Sequence, residues 1–106
     1  MFARLLEMTV NPEKKPELFH KIKQEVLPLL TKYGGFVDVI PMEVELEPTK
    51  LYLISLWHQR TDAEKYEEES FPKVKAMYEP YLTMPLDVKL CKVDESIFKK
   101  LVSVAA

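Results

Sequence analysis

The stretch LWHQRTDAEKYEEESF, Leu56 to Phe71, is where a strand becomes a helix. Before it, Leu51 to Trp57 is short and apolar, the signature of a strand. After it, an inward face of Ala63, Tyr66, Ser70, Val74, Met77 and Tyr81 follows helical spacing, flanked by Phe71 and Tyr78. Thr61 with Glu64 three residues later reads as a capping box that opens this helix. Pro72 has no N–H to give Glu68, so two helical pieces joined near Ser70 are predicted.

Upstream, residues 2–10 read as a strand, with Phe2, Leu6, Met8, Val10 and Arg4 on one face and Ala3, Leu5, Glu7 and Thr9 on the other. Asn11-Pro12 turns the chain, and Pro16 suits the first turn of a helix. That helix carries Leu18, Phe19, Ile22, Val26, Leu29, Leu30 and Tyr33, with a bend expected at Pro28 and a C-cap at Gly34-Gly35. Phe36 to Leu46 is a second strand, marked as an edge or a bulge by Pro41. A short connection, Pro48-Thr49-Lys50, makes a hairpin with the strand that ends at Trp57. Leu86 to Val93 is the fourth strand. The order β-α-β-β-α-β over residues 1–93 predicts an α+β, ferredoxin-like domain: a four-stranded antiparallel sheet with both helices on one face. Residues 94–106 form a tail whose Ile97, Phe98, Leu101, Val102 and Val104 need the domain or a partner subunit to pack on.

The composition narrows the function classes. The 106 residues suit one domain, and 47% apolar with 30% charged residues is a globular profile. A net charge of −2 without a basic stripe argues against nucleic acid. Two adjacent glycines cannot build a phosphate-binding loop. Cys91, the only cysteine, can form neither an intrachain disulfide nor a zinc-ligand pair. No apolar run approaches the roughly 20 residues of a membrane span, and no signal peptide is read in the first residues. A reduced, cytoplasmic protein is expected, with no membrane partner. In the third strand both faces are apolar, through Leu51, Leu53 and Trp57 and through Tyr52, Ile54 and Leu56. Helices cover only one of them, so a homodimer through the open sheet face is expected.

Three segments carry a resemblance: LLEMTVNPEKKPELF near the start, KYGGFVDV at the end of the first helix, and ISLWHQRTDAEKYEEESFPKVKAMYEPYL. Together they resemble the antibiotic biosynthesis monooxygenase-like (ABM) superfamily of dimeric α/β barrels, over nearly the whole chain up to Val93. The resemblance implies oxygenation of a phenol, quinol or similar flat molecule without a cofactor. It does not extend to the haem-degrading branch. That branch's strand asparagine, helix tryptophan and ligand histidine fall here at Leu6, Tyr66 and Ala76. No cofactor and no metal are therefore expected.

Site candidates follow from position and chemistry. His58, at a strand end, is either a surface histidine or a general base at a pocket mouth, because imidazole titrates near neutral pH. Asp38 alternates with Phe36, Ile40 and Met42. A bulge at Val39-Ile40 would turn it outward; without one it is a partly buried carboxylate able to accept a phenol's proton. Tyr66 and Tyr78 combine an apolar body with a hydroxyl, which is core chemistry and also pocket chemistry for a phenolic ligand. Catalytic roles are expected for His58, Tyr66 and Asp38, and substrate contacts for Trp57, Phe71, Tyr78 and Phe19. A gap is expected where both helix interruptions face the strands, under Ser70.

Overall fold

The structure, a computed structural model, describes residues 1–97. Strands β1 (Phe2–Thr9), β2 (Phe36–Glu43), β3 (Lys50–Trp57) and β4 (Asp87–Lys92) pair antiparallel in the order β2-β3-β1-β4. The fold is α+β and ferredoxin-like, as the element order implies. Alternation puts Phe2, Leu6 and Met8 of β1 and Leu51, Leu53 and Trp57 of β3 under the helices, in one core. Of the tail, Ile97 is exposed, and the packing expected of Phe98, Leu101, Val102 and Val104 lies outside the described residues.

The first helical layer runs through α1 (Lys15–Lys21), a π-helical turn (Ile22–Val26) and α2 (Leu27–Leu30). A simple bend at Pro28 was the expectation; the chain instead inserts a wide turn just before it. The Leu27 N–H donates back five residues to the Ile22 carbonyl. Pro28 offers no N–H, and in a regular α-helix its ring would strike the Gln24 carbonyl. The wider turn moves that carbonyl aside. Leu18, Ile22, Val26 and Leu30 remain buried through the irregularity.

The glycines after this layer do a different job from the one expected. Neither has a positive φ, so no left-handed C-cap forms. Gly35 is instead a point of close approach: a Cβ there would overlap the Asp62 side chain. Asp62 in turn begins the second helical layer. α3 (Arg60–Glu69) starts a residue earlier than Thr61, with Gln59 as its N-cap. The Gln59 N–H donates to Asp62 Oδ2 at 3.1 Å, so Asp62 takes the role expected of Glu64. α3 stops before Ser70, and α4 (Phe71–Tyr78) continues with Pro72 in its first turn, as the missing N–H requires. The break shifts the buried face to Phe71, Val74 and Tyr78, leaving Met77 and Tyr81 half-buried.

β2 is an edge strand, consistent with Pro41. Its register shifts between Phe36 and Asp38, not at Val39-Ile40. Val39 thereby packs on the core, while Asp38, Ile40 and Met42 are exposed on the face without helices. β2 ends at Glu43, and the loop to β3 holds Leu46 in the left-handed region at φ 71° with its side chain in solvent.

Candidate functional site

Arg4 occupies a core position. Strand alternation points it under the helices between Phe2 and Leu6, and only 1% of it is exposed. Its guanidinium carbon lies 4.2 Å from the Phe71 ring centre and 5.1 Å from that of Tyr66, within cation–π range. The one ion pair it makes among the described residues, Nη2 to Glu67 Oε1 at 3.7 Å, is too long for a hydrogen bond. Nε and Nη2 are buried without a hydrogen-bond partner among the described residues. Burial therefore pulls the guanidinium pKa below its ordinary value, opposed by Tyr66, Glu67 and Tyr78.

Ser55 lies opposite Arg4 in the β1–β3 register, on the same face. Its hydroxyl accepts the Trp57 Nε1–H at 3.0 Å, which leaves its own proton free to donate. From above come Tyr66, last turn of α3, and Tyr78, last residue of α4. Burial raises the Tyr66 hydroxyl to about 12, and Tyr78 is pushed up further by burial and by Tyr66. Both are fixed as neutral phenols at physiological pH, able to donate and unfit as bases. Trp57 stacks on Tyr66 with centroids 5.2 Å apart and planes 30° from parallel. Tyr33 meets both rings edge-on, and its hydroxyl reaches Ser70 Oγ at 2.5 Å, tying the α3–α4 joint to the end of the first layer.

Arg4, Ser55, Tyr66 and Tyr78 line a cavity of about 10 Å³, completed by Leu6, Val26, Leu30, Val39 and Leu53. Val26 and Leu30 flank Pro28, and Tyr66 and Tyr78 flank the break at Ser70, so the void lies beneath both interruptions. It has room for about one water molecule, far less than the expected gap. Larger clefts are open to solvent; one of about 490 Å³ is lined by Lys32, Tyr33, Gly34, Gly35, Asp62, Lys65 and Glu69.

The residues expected from sequence separate into two groups. Tyr66 and Tyr78 line the cavity, Phe71 lies against Arg4, and Trp57 backs Tyr66. Phe19 packs on the core from α1 without lining the cavity. His58 is exposed; its backbone N–H donates to the Gly35 carbonyl at 2.9 Å, and it does not line the cavity. Asp38 is exposed on the opposite sheet face, where its Oδ1 accepts the Val39 N–H at 2.8 Å. Arg4 and Ser55 were missed as site residues, although a charge inside the stripe Phe2, Leu6, Met8, Val10 was visible in the sequence.

Neither a protein-family model nor a curated protein sequence matches the chain. Solved structures do. A monooxygenase from Streptomyces coelicolor, ActVA-Orf6 in complex with nanaomycin D, superposes with TM-score 0.75 at 12% identity, over 88% of this chain and 87% of that one. A Caulobacter crescentus protein provisionally named an antibiotic biosynthesis monooxygenase gives TM-score 0.76 at 12% identity, over 89% and 90%. Rv0793 from Mycobacterium tuberculosis gives 0.71 at 16% identity, over 90% and 97%. The chain therefore has the ferredoxin-like α+β fold of the antibiotic biosynthesis monooxygenase-like proteins.

Proposed function

We propose that the protein is a cofactor-independent monooxygenase of a small aromatic substrate, a phenol or quinol, bound between the sheet and the helices. One observation carries this reading: an apolar core holds Arg4, Ser55, Tyr66 and Tyr78 together beneath two interrupted helices. Burying a cation in this way costs stability, and well-packed aliphatic residues would fill the space with less penalty. The nanaomycin D complex of one similar structure supports a small-molecule site in this fold. In the proposed reaction the ionised substrate gives an electron to dioxygen, and the protein supplies a dry, oriented pocket. Tyr66 and Tyr78 would donate hydrogen bonds, with Trp57 holding Tyr66 in place and Phe71 bordering the ring. A ring needs more room than the cavity offers, so binding would open the α3–α4 joint at Ser70. His58 and Asp38 lie away from the cavity, so substrate ionisation falls to the field of Arg4 and to solvent.

We also infer a homodimer through the open sheet face in a cytoplasmic, reducing setting. Ile40 and Met42 are 39% and 40% exposed there, beside half-buried Leu5, Tyr52 and Ile54. Light scattering at micromolar concentration would return a single-chain mass if this face were not an interface.

A second reading, a non-catalytic small-ligand-binding or interaction dimer, is favoured by the absence of a general base among the cavity's lining residues. Quinols of increasing ring count, incubated aerobically with the protein, separate the two. Oxygen uptake above the uncatalysed rate supports the oxygenase, and uptake at that rate supports the binding module.

A further inference from the structure

We propose that the cavity at Arg4 is an oxyanion site, in which the Nε–H and Nη2–H groups of Arg4 donate to one anionic oxygen. The polar side chains that line it are an arginine, a serine and two tyrosines; no carboxylate or amide is among them. Arginine can only donate, and the two neutral tyrosines each bring a proton to donate. Ser55 already accepts from Trp57, which leaves its proton and one lone pair. The wall therefore holds a cation and neutral hydroxyls but no anion, and its positive charge is only distantly met by Glu67 at 3.7 Å. Two unpartnered donors on a side chain 1% exposed call for an acceptor, and the void beside them has space for about one oxygen atom. An anionic oxygen satisfies the hydrogen-bond demand and the charge together, whereas a water satisfies only the first.

That oxygen has two sources: the phenolate oxygen of an aromatic ligand, which rests on the proposed oxygenase reading, or a small carboxylate or similar anion from solution, which does not. Each is probed separately. 4-Nitrophenol reports its own ionisation through its yellow band and needs no turnover. Bound beside Arg4, it should ionise roughly 1 to 3 pH units lower than free in solution, the size of effect an adjacent opposite charge produces. Arg4→Met, which keeps the bulk and removes the charge, should abolish the shift, and Arg4→Lys, without the fork, should retain part of it. Formate, which brings an anionic oxygen on only three heavy atoms and so demands far less opening than a ring, should raise the melting temperature of the wild type and not of Arg4→Met. Formate-dependent stabilisation without nitrophenol binding supports the oxyanion site and counts against the phenol reading. A nitrophenol shift that persists in Arg4→Met, or neither probe acting through Arg4, overturns the site and leaves a water-filled void. Circular dichroism of each variant confirms the fold, so loss of structure is not mistaken for loss of binding.

Discussion

Gly35→Ala tests how the two helical layers are locked together. The new Cβ would overlap the Cβ, Cγ and Oδ2 of Asp62. Rotating the Asp62 side chain clears the carboxylate but not its Cβ, so the start of α3 must move away from the end of the first layer. Overpacking of this kind costs about 1–3 kcal/mol. The displaced carboxylate also gives up the Gln59 N–H that begins α3, a capping interaction worth about 1 kcal/mol. The sum, about 2–4 kcal/mol, lowers the melting temperature by at least about 8 °C in a domain of this size. Urea denaturation followed by circular dichroism at fixed pH measures it, in the wild type and in an Asp62→Gly background. The Asp62→Gly change alone removes the cap and adds a helical glycine, about 2 kcal/mol together. With Asp62 already reduced to glycine, the three atoms nearest the alanine Cβ are gone and the change should cost under about 0.5 kcal/mol, so the two changes couple strongly. Equal cost of Gly35→Ala in both backgrounds would refute the close-approach argument.

Other consequences are simpler to check. Tyr66→Phe removes one hydroxyl from the cavity wall and leaves the stack on Trp57, so nitrophenol affinity or oxygen uptake should fall about tenfold while stability changes by under about 1 kcal/mol. An early melt with unchanged activity per folded molecule would make Tyr66 core alone. Between pH 10.0 and about 12 the unfolded chain loses the Tyr66 proton while the folded chain keeps it. Stability should therefore fall as pH rises across that window, by up to about 1.4 kcal/mol per pH unit for this residue. Tyr78 adds to the fall in the same direction, and urea midpoints of Tyr66→Phe should show a shallower slope. Leu46→Gly relieves a left-handed backbone that costs a side-chain-bearing residue about 1–2 kcal/mol, partly offset by glycine's entropy. Its melting temperature should rise by a few degrees, and a fall would mean the exposed Leu46 side chain is stabilising.

The order of elements was legible because its signals are local. Pro72 removes a particular hydrogen bond wherever the chain goes, so the joint at Ser70 follows from the residue order alone. The π turn before Pro28 does not, since apolar residues at Leu18, Ile22, Val26 and Leu30 fit a bent α-helix equally well. The face of Asp38 was left open for a similar reason: alternation gives a residue's face only relative to a register, and the shift, after Phe36 and not at Val39-Ile40, comes from pairing with β3. Arg4 is the opposite case. A lone arginine on an apolar stripe ordinarily extends its charge to water. Only packing under Phe71 and Tyr66, far along the chain, shows that this one does not. Gly35 and Asp62 likewise form one feature that no spacing reveals, being joined across two helical layers.

The sheet's two borders also set how copies of the chain could join strand to strand. A strand arriving at β2 meets Pro41 and broken spacing after Phe36, both of which disfavour pairing there. Among the described residues β4 has no proline or register shift of this kind from Asp87 to Lys92. Continuous cross-strand growth needs two receptive borders on every copy, and among the described residues this sheet has one. Two chains meeting β4 to β4 would use up both open borders at once and stop. Pro41 and the shift after Phe36 thus disfavour open-ended growth and leave β4 as the border at which two copies could close a pair.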